Sequence, residues 1–213
     1  ESVEIKPSIE PEPVQPIVEE VQPEVEPYRV IGEAFKTYIL VEQGKKLLII
    51  DKHAAHERML FEKFKANRDG IETQMLLAPV TVTLSKEEYS AVLDKLDLLE
   101  KAGYHVEDFG GGMVIVNECP TAVADADLAE VIMELAGHLV NGQKELVPEK
   151  LDWIYHSTAC RAAIKAGDKT TDYELNRFVE SLLNNPDIRY CPHGRPVLVE
   201  MSRYEIEKNF GRV

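Results

Sequence analysis

Cysteine is scarce in this chain. Cys119, Cys160 and Cys191 are spread over 213 positions, and an odd, widely spaced set does not make a disulfide framework. A reducing, cytoplasmic compartment is the expectation, and there such thiols stay available to a metal. Long apolar runs are missing as well. None approaches the ~20 residues of a membrane span and no signal-peptide pattern opens the chain, so no membrane partner is expected. Positive charge is in deficit, with 24 Lys and Arg against 38 Asp and Glu, a net −14. That balance excludes a protein that grips nucleic acid unaided, because phosphate binding rests on Lys and Arg. Part of the deficit is local: residues 1–27 hold eight Glu and one Lys, −7, which leaves −7 for residues 28–213.

Residues 1–27 also hold half of the twelve prolines and no aromatic side chain. Such a segment cannot bury enough surface to offset its ordering entropy, and it reads as an extended linker. The chain opens on Glu1 rather than Met, which suggests a piece of something longer with a partner tethered upstream. Hydrophobic residues at 44% suffice for a packed core, in one domain of ordinary size or two small ones.

Folded structure is expected from Tyr28. Residues 35–41 and 46–51 read as a hairpin turning at Gln43-Gly44, followed by a helix over 53–67. Residues 74–84 alternate Val80, Val82 and Leu84 with Thr81 and Thr83, the period of a strand. Ser85 with Glu88 makes a capping box for a helix to Leu99 that stops at Gly103. Strands over 104–109 and 113–116 flank Gly110-Gly111-Gly112, and a helix covers 125–140 and ends at Asn141-Gly142. Pro148 suits the first turn of a long helix reaching Ala166, with Gly167 as its stop. A helix over 172–183, a strand over 197–201 and a short helix over 202–209 close the chain. The class is mixed α+β. Residues 73–147 form an inserted smaller lobe between two parts, 28–72 and 148–213, of a first lobe.

Three short islands carry the metal-capable chemistry: Asp51-Lys52-His53-Ala54-Ala55-His56-Glu57, Ala159-Cys160-Arg161 and Cys191-Pro192-His193-Gly194-Arg195-Pro196. Cys, His and Glu are donors that zinc-type ions select. His53 and Glu57, four apart on a helix, share a face. Asp51 sits where a strand hands over to a helix, a junction that fixes a side chain while leaving it facing solvent. Taken alone, this island also reads as a helix cap followed by a solvated face. Cys160 alone reads as a buried, inert thiol, as does Cys119. Cys191 and His193, one residue apart between Pro and Gly, make a poor core element and a good chelating knuckle. His56, His105, His138 and His156 read as surface or packing residues. Finally, Gln74-Met75-Leu76-Leu77-Ala78-Pro79 suits either an extended peptide docking in an apolar pocket or, more simply, the start of a strand whose ladder Pro79 ends.

Together these motifs resemble the C-terminal domain of MutL-type mismatch-repair proteins. The resemblance rests on Asp51-x-His53-Ala54-x-x-Glu57-x-x-x-x-Glu62, Ala159-Cys160-Arg161, Cys191-Pro192-His193-Gly194-Arg195-Pro196 and Phe210-Gly211-Arg212, in the family's order. Lys52 departs from it, since the family usually has Gln there. The resemblance implies a dimerisation and endonuclease domain of two lobes, a dimerisation lobe built from both chain ends and an inserted regulatory lobe. The linker would join it to an ATPase domain. His53, Glu57, Cys160, Cys191 and His193 match the family's zinc ligands, and Asp51 an acidic residue required for nicking. Gln74, Leu76, Leu77 and Pro79 fall on its sliding-clamp-binding motif, which reverses the simpler reading of that segment.

The implied activity is a metal-dependent nick in one strand of double-stranded DNA. Asp51, His53 and Glu57 are the catalytic candidates. Cys160, Cys191 and His193 hold a tight Zn2+, and His53 and Glu57 bridge toward an exchangeable Mn2+ or Mg2+. The partners implied are duplex DNA, the sliding clamp, a mismatch-recognition protein through the full-length chain, and a second copy in a homodimer. The alternatives are a non-catalytic dimerisation and clamp-docking module whose zinc only stabilises the fold, and a zinc hydrolase of small molecules.

Overall fold

The computed structural model describes residues 26–67, 70–141, 146–164 and 168–212. The linker expected over 1–27 falls outside these except for Glu26 and Pro27, and so do the helix stops expected at Gly142 and Gly167. The fold is α+β, with two antiparallel sheets and helices packed against each.

The first sheet runs β1 (Tyr28–Ala34), β2 (Tyr38–Gln43), β3 (Lys46–Asp51) and β7 (Leu198–Ser202), in that spatial order. The β2–β3 hairpin turns through Gly44 at φ 54°, a left-handed position that glycine takes without steric cost. The strand expected over 35–41 begins at Tyr38 instead. Phe35 and Lys36, at φ 56° and 53°, form the tight turn from β1, closed by Thr37 N–H donating to the Ala34 carbonyl at 3.1 Å. Both central residues of such a turn need positive φ. Neither residue advertises it, so β1 left no hairpin signal in the sequence.

The intervening chain folds α1 (Lys52–Ala66), β4 (Thr73–Thr83), α2 (Lys86–Leu93), α3 (Leu96–Lys101), β5 (His105–Gly110), β6 (Met113–Pro120) and α4 (Leu128–Asn141). Its sheet has the order β4-β6-β5, which leaves β4 on an edge. The β4–β6 ladder pairs as far as Met75, breaks, and resumes at Val80. The single helix expected from Ser85 is two, because Lys95 leaves helical geometry at φ −133°, ψ 25°. The capping box at Ser85 and Glu88 is present. The helix expected over 125–140 starts at Leu128, after a 3-10 turn over Thr121–Val123.

After α4 come α5 (Val147–Ala162), α6 (Asp172–Leu183), β7 and α7 (Arg203–Asn209). Pro148 opens α5 as expected, and the helix ends at Ala163, whose ψ of 142° is extended.

Two apolar cores result. Ile39, Val41, Leu48 and Ile50 point from the first sheet onto Ala54 and Ala55 of α1 and Leu175, Val179 and Leu182 of α6. The second core joins Val82, Val106, Val114 and Val116 of the other sheet to Val131, Ile132 and Leu135 of α4. Phe64 of α1 and Leu151, Ile154, Tyr155 and Ala159 of α5 also belong to it. Fully burying each such aliphatic side chain is worth about 1.5–3 kcal/mol. Helix α1 therefore begins in one core and ends in the other, with α5 packed along it. Whatever these two helices carry lies at the joint between the cores.

Candidate metal centre

Helix α1 carries Glu57 on its buried side, with 0% of its surface exposed. Helix α5 places Cys160 opposite. Its Sγ lies 2.7 Å from Glu57 Oε1. The third island folds as a tight knuckle: Cys191 N–H donates to the Arg195 carbonyl and Gly194 N–H to the Cys191 carbonyl, both at 2.8 Å. A bridge between Tyr190 and Pro196 closes its neck. Gly194 sits at φ +80° with open space beyond it, so glycine serves the turn's handedness here and not a steric need. The knuckle brings His193 Nδ1 to 3.1 Å from the same Glu57 oxygen.

His156, which reads from sequence as a packing residue, completes the group. One turn before Cys160 on α5, its Nε2 lies 3.3 Å from Glu57 Oε1 and 3.7 Å from Cys160 Sγ. The ligand atoms of Glu57, His156, Cys160 and His193 all lie within 4.8 Å of one another. The i,i+4 spacing of His156 and Cys160 was the one local signal that pointed to this.

The other predicted residues surround this group without being among its four. Cys191 is buried at the base of the knuckle, close enough to Cys160 to influence its titration. His53, at the start of α1, donates from Nδ1 to the Ile164 carbonyl at 3.0 Å. The Ile164 amide in turn donates to His56 Nδ1, also at 3.0 Å, so two imidazoles of α1 pin the chain just beyond α5. Burial, then the neighbouring His53, pushes the His56 pKa down. Asp51 caps α1, its Oδ1 accepting from Ala54 N–H at 2.9 Å.

The donor set fits a cation. Burial foremost, and then the Glu57 carboxylate, push the Cys160 thiol far up, a state that a coordinated metal would reverse by deprotonating it. Burial and then His193 push His156 down, toward the neutral imidazole that ligates metals. Glu57 Oε2 is buried with no hydrogen-bond partner, a costly condition for a carboxylate oxygen unless a cation meets it. Two imidazoles, a thiol and a carboxylate are donors of the zinc type.

Fold and cluster together define an α+β protein with a His/Cys/Glu cluster that could hold a metal ion, lodged between two helices and a knuckle. The chain belongs to the MutL family: residues 31–170 match the family model described as the MutL C terminal dimerisation domain. It is 36% identical over 189 residues to a DNA mismatch repair protein MutL of Agathobacter rectalis, covering 87% of this chain and 29% of that one. It is 38% identical over 188 residues to the Clostridium perfringens protein of the same name, covering 87% and 28%, and 35% identical to that of Clostridium tetani, covering 87% and 30%. The chain thus spans less than a third of the length of these curated relatives.

Proposed function

We propose that this chain is the nicking-endonuclease domain of a mismatch-repair protein, cutting one strand of duplex DNA by phosphodiester hydrolysis. The observation that carries the reading is the convergence of three distant islands, through Cys160 and His193, on the buried Glu57 carboxylate, with Asp51 at the head of the same helix. A zinc that served only as a staple would have no use for Asp51.

Cys160, Cys191 and His193 suit a tightly held Zn2+, because thiolates favour zinc over magnesium. Glu57 and His53 then face an exchangeable Mn2+ or Mg2+. The Nδ1–H bond from His53 to the Ile164 carbonyl leaves Nε2 as its lone-pair atom, the arrangement that ligating histidines adopt. When bound, divalent ions supply Lewis acidity toward a phosphoryl oxygen and lower the pKa of bound water. Asp51 orients the attacking water with Oδ2, since Oδ1 is engaged in capping α1. The oxygen of that water bonds to phosphorus, the P–O bond to one sugar breaks, and the departing oxygen takes up a proton.

Residues 74–79 are read as the sliding-clamp contact. Met75 and Leu77 project from the break in the β4 ladder at 77% and 108% exposure. The net charge of −14 fits a nuclease with little DNA affinity of its own, held idle until a clamp and an upstream ATPase domain deliver it. A homodimer is part of the same reading.

One observation favours a second reading, a non-catalytic dimerisation and clamp-docking module: Asp51 already has structural employment as the cap of α1. Asp51→Asn separates the two, because asparagine still offers an Oδ1 to Ala54. The assay is manganese-dependent nicking of closed circular DNA by full-length protein with clamp. Loss of nicking in Asp51→Asn, with zinc content and dimerisation intact, supports the nuclease; wild-type nicking by that variant, or loss of its zinc, sinks the catalytic role.

A further inference from the structure

We infer that Glu134 is a positioning residue: from α4 it sets the rotation of α5 that aims the Cys160 thiol at Glu57. It acts through Ser157 and Arg161. Its effect on zinc rests on the proposed function, whereas the contact of Cys160 with Glu57 stands without that reading.

Residues four apart share a stripe of a helix, and consecutive residues point about 100° apart. On α5, His156 and Cys160 therefore form one stripe, and Ser157 and Arg161 the next. The first stripe meets Glu57. The Cys160 thiol donates to its Oε1 at 2.7 Å, and His156 Nε2 lies 3.3 Å from the same oxygen. The second stripe meets Glu134. Ser157 Oγ donates to its Oε1 at 2.7 Å, and Arg161 Nε and Nη2 donate to its Oε2 at 3.0 and 2.6 Å. A carboxylate that holds two residues of one stripe, one oxygen on each, fixes the angle of the helix about its axis. A single contact would leave the helix free to pivot.

Small rotations matter here. Side-chain ends lie about 5 Å from a helix axis, so a turn of about 10° carries them about 0.9 Å. Metal–ligand distances hold to about 0.2 Å. Packing supplies little resistance at this end of α5, where the apolar residues are Ala159 and Ala162. Side chains that small make low ridges and do not key a helix against its neighbours.

The other polar ties to this turn come from the same side. Thr158 Oγ1 donates to the Ile154 carbonyl, which leaves the Tyr104 hydroxyl to donate to Thr158 Oγ1 at 2.9 Å. Glu130 of α4 accepts from Arg161 Nη1 at 3.0 Å. An arginine beside a candidate ligand invites a role in gripping phosphate. In this fold Nε, Nη1 and Nη2 of Arg161 are all engaged by Glu130 and Glu134, so the residue serves the aim of its neighbour.

The test compares Glu134→Ala with Tyr104→Phe in the full 213-residue chain. The second variant removes a buried hydrogen bond of the same helix but leaves the Ser157–Arg161 stripe held, so it controls for lost stability. With metal stripped by a chelator, alkylation of the three cysteines by N-ethylmaleimide is followed by mass spectrometry. In Glu134→Ala, Cys160 should react about 10-fold faster, the effect of losing one hydrogen bond to a charged group. Cys119 and Cys191 should keep their wild-type rates, and Tyr104→Phe should show no selective change at Cys160. Zinc affinity by chelator competition should fall about 10-fold in Glu134→Ala and hold in Tyr104→Phe.

Uniform acceleration of all three cysteines in Glu134→Ala means general loosening and overturns the positioning role. An unchanged Cys160 rate in the folded variant overturns it too, as does wild-type zinc affinity. Selective acceleration of Cys160, in a protein whose wild type binds no zinc, upholds the positioning role and sinks the metal reading instead. Should Glu134→Ala fail to fold, Glu134→Gln takes its place, since it keeps the shape but offers one accepting oxygen where two are used. An unchanged Cys160 rate there is equally decisive against the role.

Discussion

Lys52 has 1% of its surface exposed. Its ammonium donates to Glu33 Oε1 at 2.5 Å, to the Asp168 carbonyl at 2.9 Å and to Thr170 Oγ1 at 3.0 Å. Three acceptors meet three N–H donors, the condition under which a buried ammonium is tolerable. This residue, between Asp51 and His53, ties the start of α1 to β1 and to the chain leading into α6. Lys52→Met should cost about 3–5 kcal/mol in chemical denaturation, because it strands the Glu33 carboxylate. The double change Glu33→Leu with Lys52→Met should recover much of that loss; equal loss in both would show that packing and not charge is at stake. At this scale the sequence was readable where partners are close in the chain. Asp51 as a helix cap, and Cys191 with His193 as a knuckle, follow from neighbours within a few residues. His156 was marked only by its i,i+4 spacing to Cys160, because its partner Glu57 lies on another helix and His193 on a loop beyond α6.

Between elements, the Glu134 grip on Ser157 and Arg161 is the main polar tie of α4 to α5, reinforced by Arg161 Nη1 donating to Glu130 at 3.0 Å. Burial alone would raise the Glu134 pKa, but the hydrogen bonds from Ser157 and Arg161 override it and hold the carboxyl below its usual 4.5. A carboxyl depressed on folding stabilises the folded state above its unfolded pKa, and that contribution is lost as pH falls through the folded value. Glu134→Gln should therefore melt below the wild type at neutral pH, and the gap should close as the pH is lowered past about 4. A gap that is constant with pH would mean that the carboxylate's charge contributes nothing. The elements written by local rules were legible: the hairpin at Gly44, the capping box at Ser85 and Pro148 at the head of α5. Strand β1 was not, because its turn places Phe35 and Lys36 where Asn-Gly is the usual signal. Nor was the break between α2 and α3, since Asp94-Lys95 contains no helix breaker.

At the scale of the molecule, strands from early and late in the described residues share one sheet, β7 lying beside β3. One face of that sheet covers the core. On the other, Leu40, Ile49 and Val199 lie side by side in register, with Leu47 beside Met201, and Val199 is 53% exposed. The homodimer reading predicts this apolar face as the contact. Val199→Lys, harmless to a monomer at so open a position, should shift the chain from dimer to monomer in sedimentation while its circular dichroism is unchanged; persistent dimers would move the contact elsewhere. The sheet order was not legible in sequence, because β7 pairs with β3 across about 150 residues of intervening chain and no local pattern encodes so distant a register. The broken ladder of β4 has a further consequence. An edge strand with an unbroken row of free amides invites another chain to add itself as the next strand. Here the pairing of β4 with β6 lapses between Met75 and Val80, an irregularity that bends a strand, and Pro79 has no amide to offer. A protein that displays Leu77 so openly on a sheet edge is thereby kept from seeding aggregates through it, and smoothing the edge with Pro79→Val should cost solubility before it costs stability.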